Sequence, residues 1–249
     1  MALRKKIKSQ SKNRVLIVQN SESEGPGLLE LVLKKNRITY KTVDLGRDAE
    51  IPNFSDYSAV IVLGGPDSAN DRAEKILGEL KKTKEAIDAG IPFLGICLGM
   101  QVLVKAAGGE VLKNSVKEIG WKDFEGKYFN ISLTEQGKKD ALFSNLGAEL
   151  KIFQLHGETV KLPEDAVLLA SGKHCKNQAV RVGKNAYGIQ GHFELTREML
   201  VEWIASDPDL RALNQDSLME SYLKIAAEYN NTGKKLFENF LRIAKLRAD

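Results

Sequence analysis

The sequence predicts an α/β fold: an open, mainly parallel sheet with helices on both faces, added antiparallel strands and a helical C-terminal extension. Three observations lead there. In the first half, short apolar runs alternate with stretches whose apolar residues recur every three or four positions, the pattern of parallel strands joined by amphipathic helices. From about Gly120 the apolar runs shorten and turn residues crowd between them, which suits antiparallel strands. Beyond His192 the pattern is helical.

Taken in order, residues 15–19, 39–44, 59–63 and 92–96 read as strands, and residues 27–35 and 74–89 as amphipathic helices. Gly64-Gly65-Pro66 forms a turn after the third strand. Residues 128–133, 149–153, 167–171, 178–182 and 186–190 follow as strands, with turns at Pro163-Glu164-Asp165 and Gly183-Lys184-Asn185. Thr196 is expected to cap a helix carrying Glu198 in its first turn, and Asp207-Pro208 to open another. Residues 210–229 and 234–245 read as two further amphipathic helices. Residues 1–13 are expected to be a basic, disordered tail, residues 14–205 a domain, and residues 206–249 a helical extension of it.

With 249 residues, 43% hydrophobic and 28% charged, the chain has the composition of a soluble globular protein. No apolar run approaches the roughly 20 residues of a membrane span, and the N-terminus has no apolar stretch of signal type. A cytoplasmic location is expected, with no membrane contact. Arg4, Lys5, Lys6, Lys8, Lys12 and Arg14 account for the net charge of +4, since without them the acidic residues outnumber the basic ones. So small a cluster reads as a solvated tail rather than a nucleic-acid arm. Cys97 and Cys175 are too few for a disulfide framework and read as reduced thiols.

Cys97 lies between an apolar strand and an amphipathic helix, within Gly95-Ile96-Cys97-Leu98-Gly99. That glycine spacing is the nucleophile elbow, a strand-to-helix turn too sharp for a Cβ on either side, here with sulfur in place of a hydroxyl. The thiol would stand at the sheet's C-terminal edge near a helix N-terminus, whose dipole favours the thiolate. A buried, inert cysteine is the competing reading of this segment taken alone. A thiolate nucleophile needs a proton partner, and three imidazoles are available: His156, His174 and His192. His192 ends an apolar strand, and Glu194 two residues on can share its side and orient it. His156, followed by Glu158, is the rival base. His174 beside Cys175 lacks two further ligands, so no metal site is expected.

The motifs Gly64-Gly65-Pro66, Gly95 to Gln101 and Gly188 to Glu194, in that order, resemble the class I glutamine amidotransferases. Glu118-Ile-Gly-Trp121, Phe153-Gln-Leu-His-Gly157, His174 to Gln178 and Gly233 to Leu241 resemble the GMP synthase-like subgroup, which includes plant γ-glutamyl peptidases. The resemblance implies a flavodoxin-like sheet, a γ-glutamyl thioester on Cys97, His192 as base and acid, and Glu194 as its orienter. It also implies an oxyanion hole from the backbone N–H groups of Gly65 and Leu98, a substrate contact from Gln101, and no cofactor. Two positions depart from the family pattern. Phe193 stands where proline is usual, and Gly191 where many members carry phenylalanine.

The leading functional expectation is hydrolysis of the γ-amide of glutamine, with ammonia passed to an acceptor on a separate synthetase chain, since this chain has no P-loop. A stand-alone γ-glutamyl hydrolase or peptidase would use the same residues without a partner. A catalytically silent binding protein on the same fold is the third reading.

Overall fold

Alternating apolar residues in the first strands give the sheet a core on each face. The computed structural model describes residues 14–47 and 49–247, so the expected basic tail at residues 1–13 lies outside the described residues. The chain runs through β1 (Arg14–Gln19), α1 (Gly27–Lys35), β2 (Thr39–Asp44), β3 (Ala59–Val62), α2 (Glu74–Asp88), β4 (Phe93–Ile96) and α3 (Leu98–Ala106). It continues through β5 (Glu110–Gly120), β6 (Asn130–Leu133), β7 (Glu149–Lys151), β8 (Gln154–Lys161), β9 (Ala166–Gly172), β10 (Ala179–Val182) and β11 (Ala186–Ile189). Three helices close it: α4 (Arg197–Ser206), α5 (Pro208–Arg211) and α6 (Gln215–Ile243).

The main sheet has the order β2-β1-β3-β4-β11-β10-β9-β6-β7. Its first five strands are parallel, and the last four continue antiparallel. Val15 and Ile17 of β1 pack with Leu29 and Val32 of α1 and with Leu236 and Phe240 of α6. Leu16 and Val18, pointing the other way, pack with Ala86 of α2 and Leu103 of α3. The period-two alternation of a strand thus buries both faces.

Thr196 caps α4 by accepting from the Met199 N–H at 3.2 Å, and Asp207 caps α5 by accepting from the Leu210 N–H at 2.9 Å, as expected. Two features differ from expectation. β5 and β8 form a separate antiparallel ribbon, Val111 opposite Val160 and Ile119 opposite Leu155, where no strand was predicted over residues 110–120. Its lysines, asparagine and serine carry little apolar signal; the pairing comes from the partner strand. The two helices expected at 210–229 and 234–245 are instead the short α5 and one unbroken α6.

Gly233 does not break α6, because it serves a close approach: a Cβ there would lie 2.3 Å from the Phe193 carbonyl oxygen. Gly233→Ala must push the helix or Phe193 aside. A loss of about 2 kcal/mol in urea unfolding is expected.

Glu79, on the buried face of α2, is fully enclosed and takes one hydrogen bond, 3.2 Å from Asn20 Nδ2 to its Oε1. Burial pushes its carboxyl up from 4.5 to about 7, opposed by the Asn20 hydrogen bond and Lys75. The folded state therefore holds the extra proton. Stability from this group is complete below pH 4.5 and is lost as pH rises through about 7, by on the order of 3 kcal/mol. Glu79→Gln keeps the acceptor and removes the charge. Urea unfolding at pH 5 and 8 is expected to show a smaller loss of stability in the variant than in the wild type.

Candidate active site

The β4–α3 junction is a sharp strand-to-helix turn. Cys97 sits there at φ 52°, ψ −108°, a left-handed conformation that side chains rarely adopt. A Cβ on Gly95 would come within 2.2 Å of the Gly99 carbonyl oxygen, and one on Gly99 within 2.2 Å of the Val62 carbonyl oxygen. Only glycine allows β3, β4 and α3 to approach so closely. The strain is held by the ladder on either side, since the Cys97 N–H donates to the Ile189 carbonyl at 2.8 Å and the Gln101 N–H to the Cys97 carbonyl at 3.1 Å.

β11 lies beside β4, and the chain leaving it carries His192 and Glu194 to the same edge. His192 Nδ1 donates to Glu194 Oε1 at 2.6 Å, with both side chains buried. Its Nε2 has no hydrogen-bond partner among the described residues. Trp203 stands edge-on to the imidazole at 4.9 Å, and Phe153 at 6.4 Å. The ring backbone is held too: the His192 N–H donates to the Phe153 carbonyl at 2.8 Å, and the Tyr229 hydroxyl donates to the His192 carbonyl at 2.9 Å.

The place a Gly64 Cβ would take lies 3.2 Å from His192 Cε1 and 3.4 Å from Cys97 Cβ. Thiol and imidazole therefore flank the same glycine. Burial opposes the imidazolium, but the Glu194 carboxylate and the Cys97 sulfur outweigh it and hold the His192 pKa well above the ordinary value.

His156 is placed differently. Its Nδ1 lies 2.9 Å from the Glu158 carbonyl oxygen, and its Nε2 2.9 Å from Glu118 Oε2, an ion-pair contact without hydrogen-bond alignment. Both nitrogens face acceptor oxygens, which leaves neither turned to Cys97. Glu118 also accepts from Gln178 Nε2 at 2.9 Å, and Cys175, fully buried, meets the Thr159 hydroxyl at 3.2 Å. Burial pushes the Cys175 thiol up to about 11, so it stays protonated at neutral pH. Glu118, His156 and Cys175 present an oxygen, a nitrogen and a sulfur within 4.8 Å of one another as a buried polar wall. Cys97 and Cys175 are both free thiols. His174 is elsewhere, 3.5 Å from Asp123 Oδ2.

A cavity of about 270 Å³ opens over Cys97, bounded by Gly65, Leu98, Gln101 and the 155–158 segment. Gly65 and Leu98 are neighbours there, a Gly65 Cβ falling 3.2 Å from Leu98 Cδ2. The Leu98 N–H begins α3 and has no acceptor within the helix. Gln101 is buried and lies 3.5 Å from Gln190 Oε1 through its Nε2.

Four residues close to this geometry are given no role by the sequence. Gln190 points its Nε2 at Cys97 Sγ from 3.7 Å, Trp203 and Tyr229 hold His192, and Glu24 joins the cavity wall from the loop after β1. Gln190 had a signal in lying within the Gly188 to Glu194 motif, and Glu24 in its place, because loops at the carboxyl ends of parallel strands line such clefts. Burial pushes its carboxyl up to about 7, with His192 opposing and Glu194 and Asp207 reinforcing the shift.

The two departures from the family pattern have local explanations. Phe193 is buried and its ring stacks on Tyr229 at 6.2 Å and 25°, so packing holds the turn where a proline ring would. A Cβ on Gly191 would meet Gln154 Oε1 at 2.5 Å and Ile152 Cδ1 at 2.7 Å, leaving no space for a side chain.

A strained thiol, an imidazole oriented by a carboxylate, and a sheet of this order define an α/β protein of the amidotransferase kind. Residues 27–200 match the family glutamine amidotransferase class-I, and the chain belongs to that family. It is 30% identical over 188 residues to the glutamine amidotransferase-like protein YfeJ of Salmonella typhimurium, covering 74% of this chain and 75% of that protein. It is 31% identical over 155 residues to a GMP synthase of Edwardsiella ictaluri, of which it spans only 27%. Crystal structures of glutamine amidotransferases from Methylobacillus flagellatus and Thermotoga maritima superpose with TM-scores of 0.82 and 0.81, at 27% and 26% identity. Each match covers 93% of this chain, and 95% and 98% of the other two. The match therefore extends into the C-terminal helices.

If Glu194 is what raises the His192 pKa, Glu194→Gln lowers it. Imidazole NMR titration is expected to show the wild-type ring protonated through neutral pH and the variant titrating nearer the ordinary value of about 6.5.

Proposed function

We propose that this chain hydrolyses γ-glutamyl amides through a thioester on Cys97, releasing ammonia from glutamine or an amine from another γ-glutamyl compound. The observation that carries the reading is the free Nε2 of His192 beside Cys97, with Nδ1 committed to Glu194. The Cys97 sulfur attacks the γ-carbonyl carbon, and the carbonyl oxygen gains charge that the Gly65 and Leu98 N–H groups stabilise. The carbon–nitrogen bond then breaks as the His192 imidazolium passes its proton to the departing nitrogen. Water attacks the thioester, His192 takes its proton, and glutamate leaves with Cys97 regenerated. Glu194 keeps the imidazole in one tautomer and balances its charge. Gln101 helps hold the glutamyl group.

The chain performs this hydrolysis without a partner. α6 buries its apolar stripe against the same molecule, and Tyr229 braces the His192 carbonyl from it, so no second protein is needed to hold the base. A second reading has support in the named relatives. The GMP synthases matched are several times longer than the shared part, and a glutaminase chain could deliver ammonia to a synthetase on a separate polypeptide.

Ammonia or amine release from glutamine and a panel of γ-glutamyl peptides, measured on the isolated chain, tests both. Turnover is expected from the wild type, none above background from Cys97→Ala, and near wild-type rates from Cys175→Ala. A chain inert alone but active once a synthetase fraction is added would favour the second reading. A dead Cys175→Ala with an active Cys97→Ala would move the nucleophile.

A further inference from the structure

We propose that the cleft selects γ-glutamyl amides whose leaving amine carries a second, distal ammonium group, as in the mono-amide of an aliphatic diamine. The proposal rests on the hydrolytic reading above and names the substrate class of that same site.

The cavity over Cys97 is walled by five carboxylates, Glu24, Asp67, Glu158, Asp207 and Asp209, against one lysine, Lys117. Two of the five are neutralised: Lys75 pairs with Asp67 at 2.6 Å, and Lys117 pairs with Asp209. Glu158, Asp207 and Glu24 have no basic side-chain partner in ion-pair contact among the described residues. Glu158 accepts from the Ser68 hydroxyl at 2.9 Å, and Asp207 is occupied by the α5 cap. The Glu24 side chain makes no hydrogen bond among the described residues, although it is half-buried in the cleft. The His192 imidazolium is near it but not in ion-pair contact, so a carboxylate there still gains from a further cation that arrives in the cleft to meet it.

The position of Glu24 says which part of a substrate it meets. Its Oε2 lies 2.2 Å, and His192 Cε1 3.2 Å, from the place a Gly64 Cβ would take. Carboxylate and imidazole therefore share one side of the cleft, the side on which the leaving nitrogen takes its proton. Asp207 is near enough to repel Glu24, which widens the negative region along the same wall. Glutamine itself leaves ammonia and offers this wall nothing. An amine with a methylene spacer ending in an ammonium would reach it, and one ending in a carboxylate would be repelled.

The test is a matched series of γ-glutamyl amides of four-carbon amines, ending in an ammonium, a methyl or a carboxylate, assayed at pH 8 and low salt. kcat/KM is expected to fall in that order, by on the order of tenfold per step, with the spread narrowing at high ionic strength. In Glu24→Gln the ratio of ammonium to methyl substrate is expected to drop severalfold. Glu158→Gln, another carboxylate of this cavity without a lysine or arginine in contact, is expected to lower the same ratio and stands in if the Glu24 variant fails to fold.

Equal kcat/KM across the series would overturn the proposal while leaving the hydrolytic reading intact. So would a ratio unchanged in both variants. If the carboxylates instead hold the α-ammonium of the glutamyl group, glutaryl amides lacking it lose all dependence on Glu24 and the tail makes no difference. Turnover of none of the amides, glutamine included, removes the hydrolytic reading and this proposal together.

Discussion

The close approach of three backbones at the β4–α3 junction is the constraint on which the rest of the site depends. Gly99 lies against the Val62 carbonyl and Gly95 against Gly99, so β3, β4 and α3 meet at a distance no side chain permits. The left-handed Cys97 follows from that contact rather than from any preference of cysteine. The strain can persist because Cys97 is also tied to β11 through the Ile189 carbonyl. The sulfur is thus aimed by packing two residues away on either side. The same ladder that holds it brings His192 to the neighbouring strand end.

The imidazole depends on a different part of the chain. Its orientation comes from Glu194, but its backbone is fixed by Phe153 on one side and by Tyr229 of α6 on the other. Gly233 lets α6 close onto the Phe193 carbonyl, and the Phe193 ring stacks on Tyr229. A helix distant in sequence therefore does the work that a proline would do locally. The α1 N-terminus contributes as well, since the Leu28 N–H donates to the Glu194 carbonyl at 2.8 Å. The whole turn from His192 to Leu195 is held from three directions.

Much of this was legible in the sequence where signal is local. The parallel strands, α1 and α2, the caps at Thr196 and Asp207, and the glycine pattern around Cys97 all declare themselves within a few residues. The β5–β8 ribbon did not, because Lys113, Asn114 and Ser115 have no apolar alternation and the strand exists through its partner. The continuity of α6 through Gly233 was hidden for a related reason: glycine in a helix signals a break unless the surface it packs against is known. His156 and His192 are alike in sequence, each followed at two residues by a glutamate. They separate only in three dimensions, where His156 faces Glu118 and the Glu158 carbonyl and His192 keeps a nitrogen free. Glu24 and Tyr229 lie in no motif, Gln190 lies in one that assigns it no role, and the relevance of all three is one of position.

The pairing of β4 with β11 joins Phe93 to Ala186 and Gly95 to Gly188, strands separated by the entire middle of the chain. Closing so long a loop has to precede any contact between Cys97 and the imidazole, and its entropic cost slows the step. α6, which braces His192, is made later still. During synthesis the segment carrying Cys97 therefore emerges well before β11, to which the Cys97 N–H is tied, and the His192 backbone is braced only once α6 has followed. The geometry around Cys97 is in this way tied to the synthesis of α6, so a product truncated ahead of that helix would carry the thiol segment without the braced imidazole.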